Sequence, residues 1–207
     1  MKSLLIAGPD GMLRDTHALA LQVYPGRPIE MLHIPSTDYY HFDLSGLDSF
    51  PSAQWDICIA VNEFYINDVR RALHALVAPL GYQVASLISP RAQVDSSAVV
   101  GENTIIHAGC FVGAGSSIGH HCVLRPNVVL SEEVRIGDYI TLEANVAVRE
   151  KSSVGDYTTI CANSSLVRMS DVGAHCYLNL SRQYAGHIPA CTFYSPSFEN
   201  PVRVLSS

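Results

Sequence analysis

A mainly β chain, a left-handed parallel β-helix preceded by a small α/β Rossmann-like domain, is predicted by three features of this sequence. An aliphatic residue recurs every six positions from Ile88 to Leu178 without a break. Glycine and asparagine recur every eighteen positions within that stretch, and strand and helix patterns alternate before it. The 207 residues, 48% hydrophobic and 15% charged, suffice for one or two packed cores. The expected units are 1–87, 88–183 and a tail at 184–207.

In chain order, an apolar strand at Leu4 to Ala7 leads through GPDG into a helical stretch, followed by a strand at EMLHI. A polar loop rich in Tyr, Ser, Asp and Pro then precedes a strand at WDICIAV. The next helix places Ile66, Val69, Leu73, Leu76, Val77 and Leu80 on one face and is ended by Pro79 and Gly81. This alternation implies a small parallel sheet with covering helices.

From Ile88 the six-step reads Ile88, Val94, Val100, Ile106, Val112, Ile118, Leu124, Leu130, Ile136, Leu142, Val148, Val154, Ile160, Leu166, Val172 and Leu178. Were a third of residues of these types, an unbroken run of this length would arise with a probability on the order of 10⁻⁸. Four residues after each anchor stands a small or β-branched residue, among them Cys110, Cys122 and Cys176, and Arg182 is the first departure. Two inward positions in six mean a short strand and a sharp corner, so three sides close one turn of a prism. Gly101, Gly119, Gly137, Gly155 and Gly173 form one column, and Gly109, Asn127, Asn145 and Asn163 another. Both residue types tolerate left-handed backbone angles at corners.

Several function classes are disfavoured. The net charge of -6 gives no basic face for nucleic acid. The apolar run in MKSLLIAGPDGM is too short for a signal peptide or membrane span, so a cytoplasmic protein is expected. No C-x-x-C spacing occurs, and the cysteines read as structural thiols. His107, His120, His121 and His175 read as solvated corner residues, and no metal is expected.

Nearly the whole chain resembles the sialic-acid O-acetyltransferase-like and bacillosamine-type N-acetyltransferase family of nucleotide-sugar acyltransferases. The resemblance is carried by LLIAGPDGM, DICIAVNEFYINDVRRAL, LISPRAQV, the IGDY and VGDY corners, HIPA and ENPVRV. It implies a homotrimer in which acetyl-coenzyme A lies between subunits and the α/β domain holds the nucleotide of a sugar acceptor. Gly8, Gly11 and Asn62 would then line the acceptor. A corner histidine followed by an acid would accept the proton from an attacking amine or hydroxyl.

Aligned on IGD, that His-acid pair falls on Glu132 and Glu133. A carboxylate can act as base, though its reference pKa makes it weaker than imidazole unless burial or a like charge raises it. Arg125 stands where the family often has a substrate-facing Asn, and the alternative is a corner ion pair from Arg125 to Glu132 or Glu133. Glu150 and Lys151 replace the small corner beside the pantetheine arm, and Thr141 aligns with a cofactor-contacting histidine. Arg149 and Arg168 either meet the coenzyme A diphosphate or form surface ion pairs with Glu132 and Glu150. In GPDGM, Pro9 removes a backbone N–H, Asp10 adds a repelling charge and Met12 takes a histidine's place, which weakens a phosphate cradle. Two classes stay open: an acyl-coenzyme A-dependent sugar acyltransferase, and a non-catalytic trimeric relative with a degenerate groove. A metal site like that of γ-class carbonic anhydrases is the less favoured third, because the histidine spacing differs.

Overall fold

The computed structural model describes residues 1–9 and 11–204. Asp10, with the repulsion expected of it, lies outside the described residues, as does the end of the tail at 205–207.

β1 (Ser3–Gly8), α1 (Met12–Val23), β2 (Ile29–His33), β3 (Trp55–Ile59) and α2 (Asp68–Val77) form the amino-terminal unit. Its sheet is parallel, of order β2-β1-β3. The central strand is apolar on both faces because both are covered. Leu4 and Ile6 pack with Met12, Leu13, Leu19 and Ala20 of α1. Leu5 and Ala7 point the other way, onto Val69, Leu73 and Val77 of α2.

α2 departs from the expected apolar face. Ile66 lies before it, and Leu76 and Leu80 are 44% and 43% exposed. The buried arc is rotated toward Arg70, which is 1% exposed.

Most of the remainder is a three-sided parallel β-solenoid, each turn giving a strand of two or three residues to each side, and Val202–Arg203 closes it by pairing antiparallel with Thr192–Tyr194. Face one runs from Leu87–Ile88 to Thr192–Tyr194, face two from Gln93–Val94 to Gln183–Tyr184, and face three from Val99–Val100 to His187–Ile188. From Ile106 to Leu178 every six-step anchor is at most 4% exposed. Cys110, Cys122 and Cys176 fill the second inward position, at 1% exposure or less. The coil continues beyond the expected end at 183, because Tyr184, Ile188 and Tyr194 join the core and carry the ladders on. The first part of the tail is thus the last turn of the prism.

The two recurring columns have different causes. Asn127, Asn145 and Asn163 hold φ of 63°, 62° and 60°, with their side-chain amides hydrogen-bonded up the column at 3.2 and 2.9 Å. The column at Gly101 and Gly155 is not left-handed; a Cβ there would meet the backbone of the next turn at 2.5 and 2.6 Å. Close stacking of turns, rather than a special φ, requires glycine.

Face one is the seat of the amino-terminal unit. Its outward residues Leu87, Ile105, Val123, Thr141 and Thr159 are 1% exposed or less. Three of them, Leu87, Ile105 and Val123, share a core with α1. No helix among the described residues is long and apolar enough to cross a membrane.

Candidate active site

Ligands of open parallel sheets bind beyond the carboxyl ends of the strands. Here the end of β3 meets the prism, and the junction is built from polar groups. Arg70 donates from Nε to the Val61 carbonyl at 2.9 Å, from Nη1 to the His121 carbonyl at 2.8 Å and from Nη2 to Thr141 Oγ1 at 3.0 Å. Asn67, at φ 65°, accepts from Thr141 Oγ1 at 2.6 Å and donates to Thr159 Oγ1 at 3.0 Å. Asn103 accepts from the Ile59 N–H at 2.7 Å and donates to the Ile59 carbonyl at 3.0 Å. Satisfied buried polar groups of this kind fix one docking geometry.

Two cavities flank this junction. The larger, about 440 Å³, lies at the strand ends among Pro9, His33, Ser36, Asp38, Tyr39 and Phe64. The smaller, about 320 Å³, lies between α1 and the corner joining faces one and two, and includes Asp15, Gln22, Arg91, His107 and Arg125. Asn62 and Arg125, both expected to meet the acceptor, come together: Arg125 Nη2 donates to Asn62 Oδ1 at 2.5 Å.

Arg125 therefore does not pair with Glu132 or Glu133. The acids stand on the next corner, between faces two and three, beyond the strand Val129–Leu130. Both are exposed, and Glu133 lies 3.9 Å from Lys151. Lys151 and Glu150 occupy the same corner one turn later, where Glu150 Oε2 is 3.4 Å from Arg149 Nε. The Glu150 carboxyl is held below the usual range by its own backbone N–H, with Arg149 and Arg168 adding to the effect. The corner is thus an exposed ion-pair cluster in the single chain.

Thr141 cannot contact a cofactor in this structure. Its side chain has no exposed surface and is enclosed by Asn67 and Arg70. The described residues flanking Asp10 also show little of a phosphate cradle. Gly8 is required for strand packing, since a Cβ would sit 2.9 Å from the Ala60 carbonyl carbon. Gly11, the N-cap of α1, has φ -62° and open space where a Cβ would go, so nothing there calls for glycine. Met12 is core, 2% exposed.

Two histidines expected to be solvated are not. His121, 4% exposed, stacks on Tyr139 at 4.7 Å with His74 of α2 against it at 3.9 Å. Tyr157 and His175 continue the stack at 5.2 and 4.6 Å. His107 lines the smaller cavity, its Nε2 buried without a partner, and burial together with Arg125 pushes its pKa down to about 4. Asp15, Arg70 and Asn67 are not singled out by pattern reading, and His107 is expected in solvent. One signal was available: Arg70 is a charge set among the apolar positions of α2. Among the described residues no group of three His, Cys, Asp or Glu could hold a metal ion.

A family model, bacterial transferase hexapeptide (six repeats), matches residues 97–132. No curated protein matches. The acetyltransferase domain of PglB from Neisseria gonorrhoeae superposes with a TM-score of 0.83 at 19% identity, covering 98% of this chain and 100% of that one. The same domain in complex with acetyl coenzyme A gives 0.80, also at 19% identity and the same coverage. PerB from Caulobacter crescentus, in complex with CoA and GDP-perosamine, gives 0.75 at 18% identity over 93% of each chain. The chain carries transferase-type hexapeptide repeats, and nearly all of it shares the two-part fold of these acetyltransferases.

Proposed function

We propose that this chain is an acyl-coenzyme A-dependent acyltransferase that acetylates an amino or hydroxyl group of a nucleotide-linked sugar, acting as a cytoplasmic homotrimer. The observation that carries the reading is the Asn62–Arg125 contact, which joins the segment just beyond β3 to a prism corner within a fold shared over 98% of the chain with a domain solved in complex with acetyl coenzyme A. Acceptor and acyl donor need adjacent sites, and this contact supports an acceptor site at the junction of the two units. Arg125 and Asn62 orient the sugar. Its nitrogen or oxygen attacks the thioester carbonyl, the new C–N or C–O bond forms, and the C–S bond breaks. Glu132 takes the proton with Glu133 beside it, and the departing thiolate is reprotonated. Arg149 and Arg168 face the coenzyme's phosphates across the subunit boundary, with Glu150 at the groove's edge.

The second reading, a non-catalytic trimeric relative, is favoured by one feature. Glu150, Arg149 and Lys151 crowd the corner where a pantetheine arm would pass, and Glu150 is already paired. Incubation with acetyl-coenzyme A and nucleotide-linked amino sugars separates the two. Release of free coenzyme A thiol, with one acetyl group added to the sugar by mass spectrometry, supports the enzyme. No release, and no shift of melting temperature by acetyl-coenzyme A, leaves the second reading.

A further inference from the structure

We propose that the aromatic surface where the loop before α2 meets the corner joining faces three and one is a docking site for an arginine-rich segment of a partner protein. The loop is held in an unusual backbone. Tyr65, Ile66 and Asn67 have φ of 48°, 54° and 65°, three left-handed residues in succession, one of them β-branched. Such a run persists only where its surroundings enforce it, and here Asn67 is pinned to Thr141 and Thr159 of the prism at 2.6 and 3.0 Å. The consequence is a fixed, outward ring. Tyr65 is 59% exposed, edge-on to Tyr39 at 5.2 Å and 5.8 Å from Tyr40, itself 41% exposed. A platform ordered before binding loses little entropy when a partner arrives.

The surface continues onto the prism. Tyr157 and His175 stack at 4.6 Å on that corner, and the Asp68–Arg71 ion pair of α2, at 2.8 Å, lies within electrostatic reach of both the Tyr40 and the Tyr157 hydroxyls. Exposed tyrosines gathered in this way are the composition of protein interfaces, where rigid amphipathic rings supply contact area. Charge selects the partner. Asp138 and Asp156, beside the ring column, each give one oxygen to a backbone N–H, at 2.7 and 2.8 Å, and neither is ion-paired among the described residues. Glu63 adds a carboxylate next to Tyr65, and the guanidinium of Arg71 is already committed to Asp68. A polyanion is repelled by such a surface. Ammonium and guanidinium both answer its charge, but the planar guanidinium also stacks on a ring while its fork bonds a carboxylate. The rings come from the loop and from successive turns of the prism, a span suited to a chain of several arginines. This corner is the edge opposite face two, so an assembly packed on face two leaves it open.

The test is calorimetric titration of the full chain with a capped hexa-arginine peptide, with hexa-lysine and spermine as comparators. Saturable binding is expected, about fivefold or more tighter for hexa-arginine than for hexa-lysine. Tyr65→Ser should weaken it about fivefold or more, and so should Asp156→Asn, which keeps the acceptor for the Asp138 N–H. Asp95→Asn, which removes an exposed carboxylate from the edge between faces two and three, should leave it unchanged. Amide chemical shifts should move at Tyr40, Tyr65, Asp156 and His175. Equal binding of hexa-lysine or spermine would reduce the surface to a bare acidic patch, and shifts centred on His33 and Ser36 would move the peptide to the strand-end cavity. Self-association of the chain that Tyr65→Ser abolishes in sedimentation would make a second copy the occupant. Each of these results overturns the proposal, as does absence of saturable binding or an unchanged affinity in a folded Tyr65→Ser variant. Neither acyl donor nor acceptor enters the experiment, so its outcome is separate from that of the transfer assay.

Discussion

Arg70 takes a permanent charge into the seam between the two units, and three hydrogen bonds to Val61, His121 and Thr141 compensate it. Replacing it leaves acceptors on both sides of the seam unsatisfied, each costing about 1–3 kcal/mol. Arg70→Met should therefore lower stability by at least about 2 kcal/mol in urea titrations, while a change below about 0.5 kcal/mol would show that water fills the gap. Glu132 tests chemistry instead of folding. It is exposed, so Glu132→Gln should leave stability nearly unchanged. If it is the base, turnover should fall about 10²-fold or more, typical of lost proton-transfer assistance. Unchanged turnover would remove it from the mechanism. Restoring an imidazole by Glu132→His in a chain without activity asks whether only the base is missing. Should that variant still fail to bind acetyl-coenzyme A, the obstruction lies at Glu150 and its partners.

At the scale of elements, the ring column His121–Tyr139–Tyr157–His175 fastens α2 to the prism through His74, whose Nδ1 lies 2.8 Å from the Tyr139 hydroxyl. Burial, then the neighbouring His74 and Arg70, pushes His121 down to about 3, and burial also lowers His74. A histidine whose folded pKa is depressed binds fewer protons folded than unfolded. Its contribution is therefore intact above its unfolded pKa near 6.5 and is lost as pH falls toward about 3. Urea midpoints should hold between pH 8 and 7 and decline below about 6.5. His121→Tyr, which copies its column neighbours, should flatten that decline; an unaltered slope would locate the titration elsewhere. The prism was legible because its pattern has one simple cause, inward residues every six positions. The seam was not. Asn67, Asn103 and Thr141 are polar residues that periodicity assigns to loops or outward strand positions, yet each is at most 1% exposed because the other unit covers it. The corner assignment of Arg125 failed for a related reason: residues seven apart in a six-residue repeat lie on different edges of the prism. The glycine column and the column from Gly109 to Asn163 are given one cause in sequence, although only the second holds a left-handed backbone.

For the molecule as a whole, the question is what covers face two. Face one is occupied by the amino-terminal unit, whereas face two presents Phe111 at 42% and Val129 at 39% exposure on adjacent turns, followed by the partly buried Ala147. Face three offers Ser117, Arg135, Ser153, Asp171 and His187 below Val99, a wetter surface. A stripe of apolar outward residues on a flat sheet is a binding surface in waiting, and stable association asks for about 800 Å² buried per partner. The proposed trimer would meet that need by packing face two against the next chain, and the acyltransferase reading requires this contact to bring the Glu132–Glu150 corner toward a neighbour's Arg125 edge. Phe111→Glu sets a charge in the middle of that contact. It should convert a trimer into monomers at micromolar concentration in sedimentation equilibrium, while circular dichroism reports an intact solenoid, because the side chain points away from the core. If the proposed groove lies between two chains, any acetyl-coenzyme A binding should be lost with the trimer. A wild-type chain that sediments as a monomer, or a Phe111→Glu variant that stays trimeric, would place the assembly surface elsewhere and detach the Glu132 corner from the acceptor cleft.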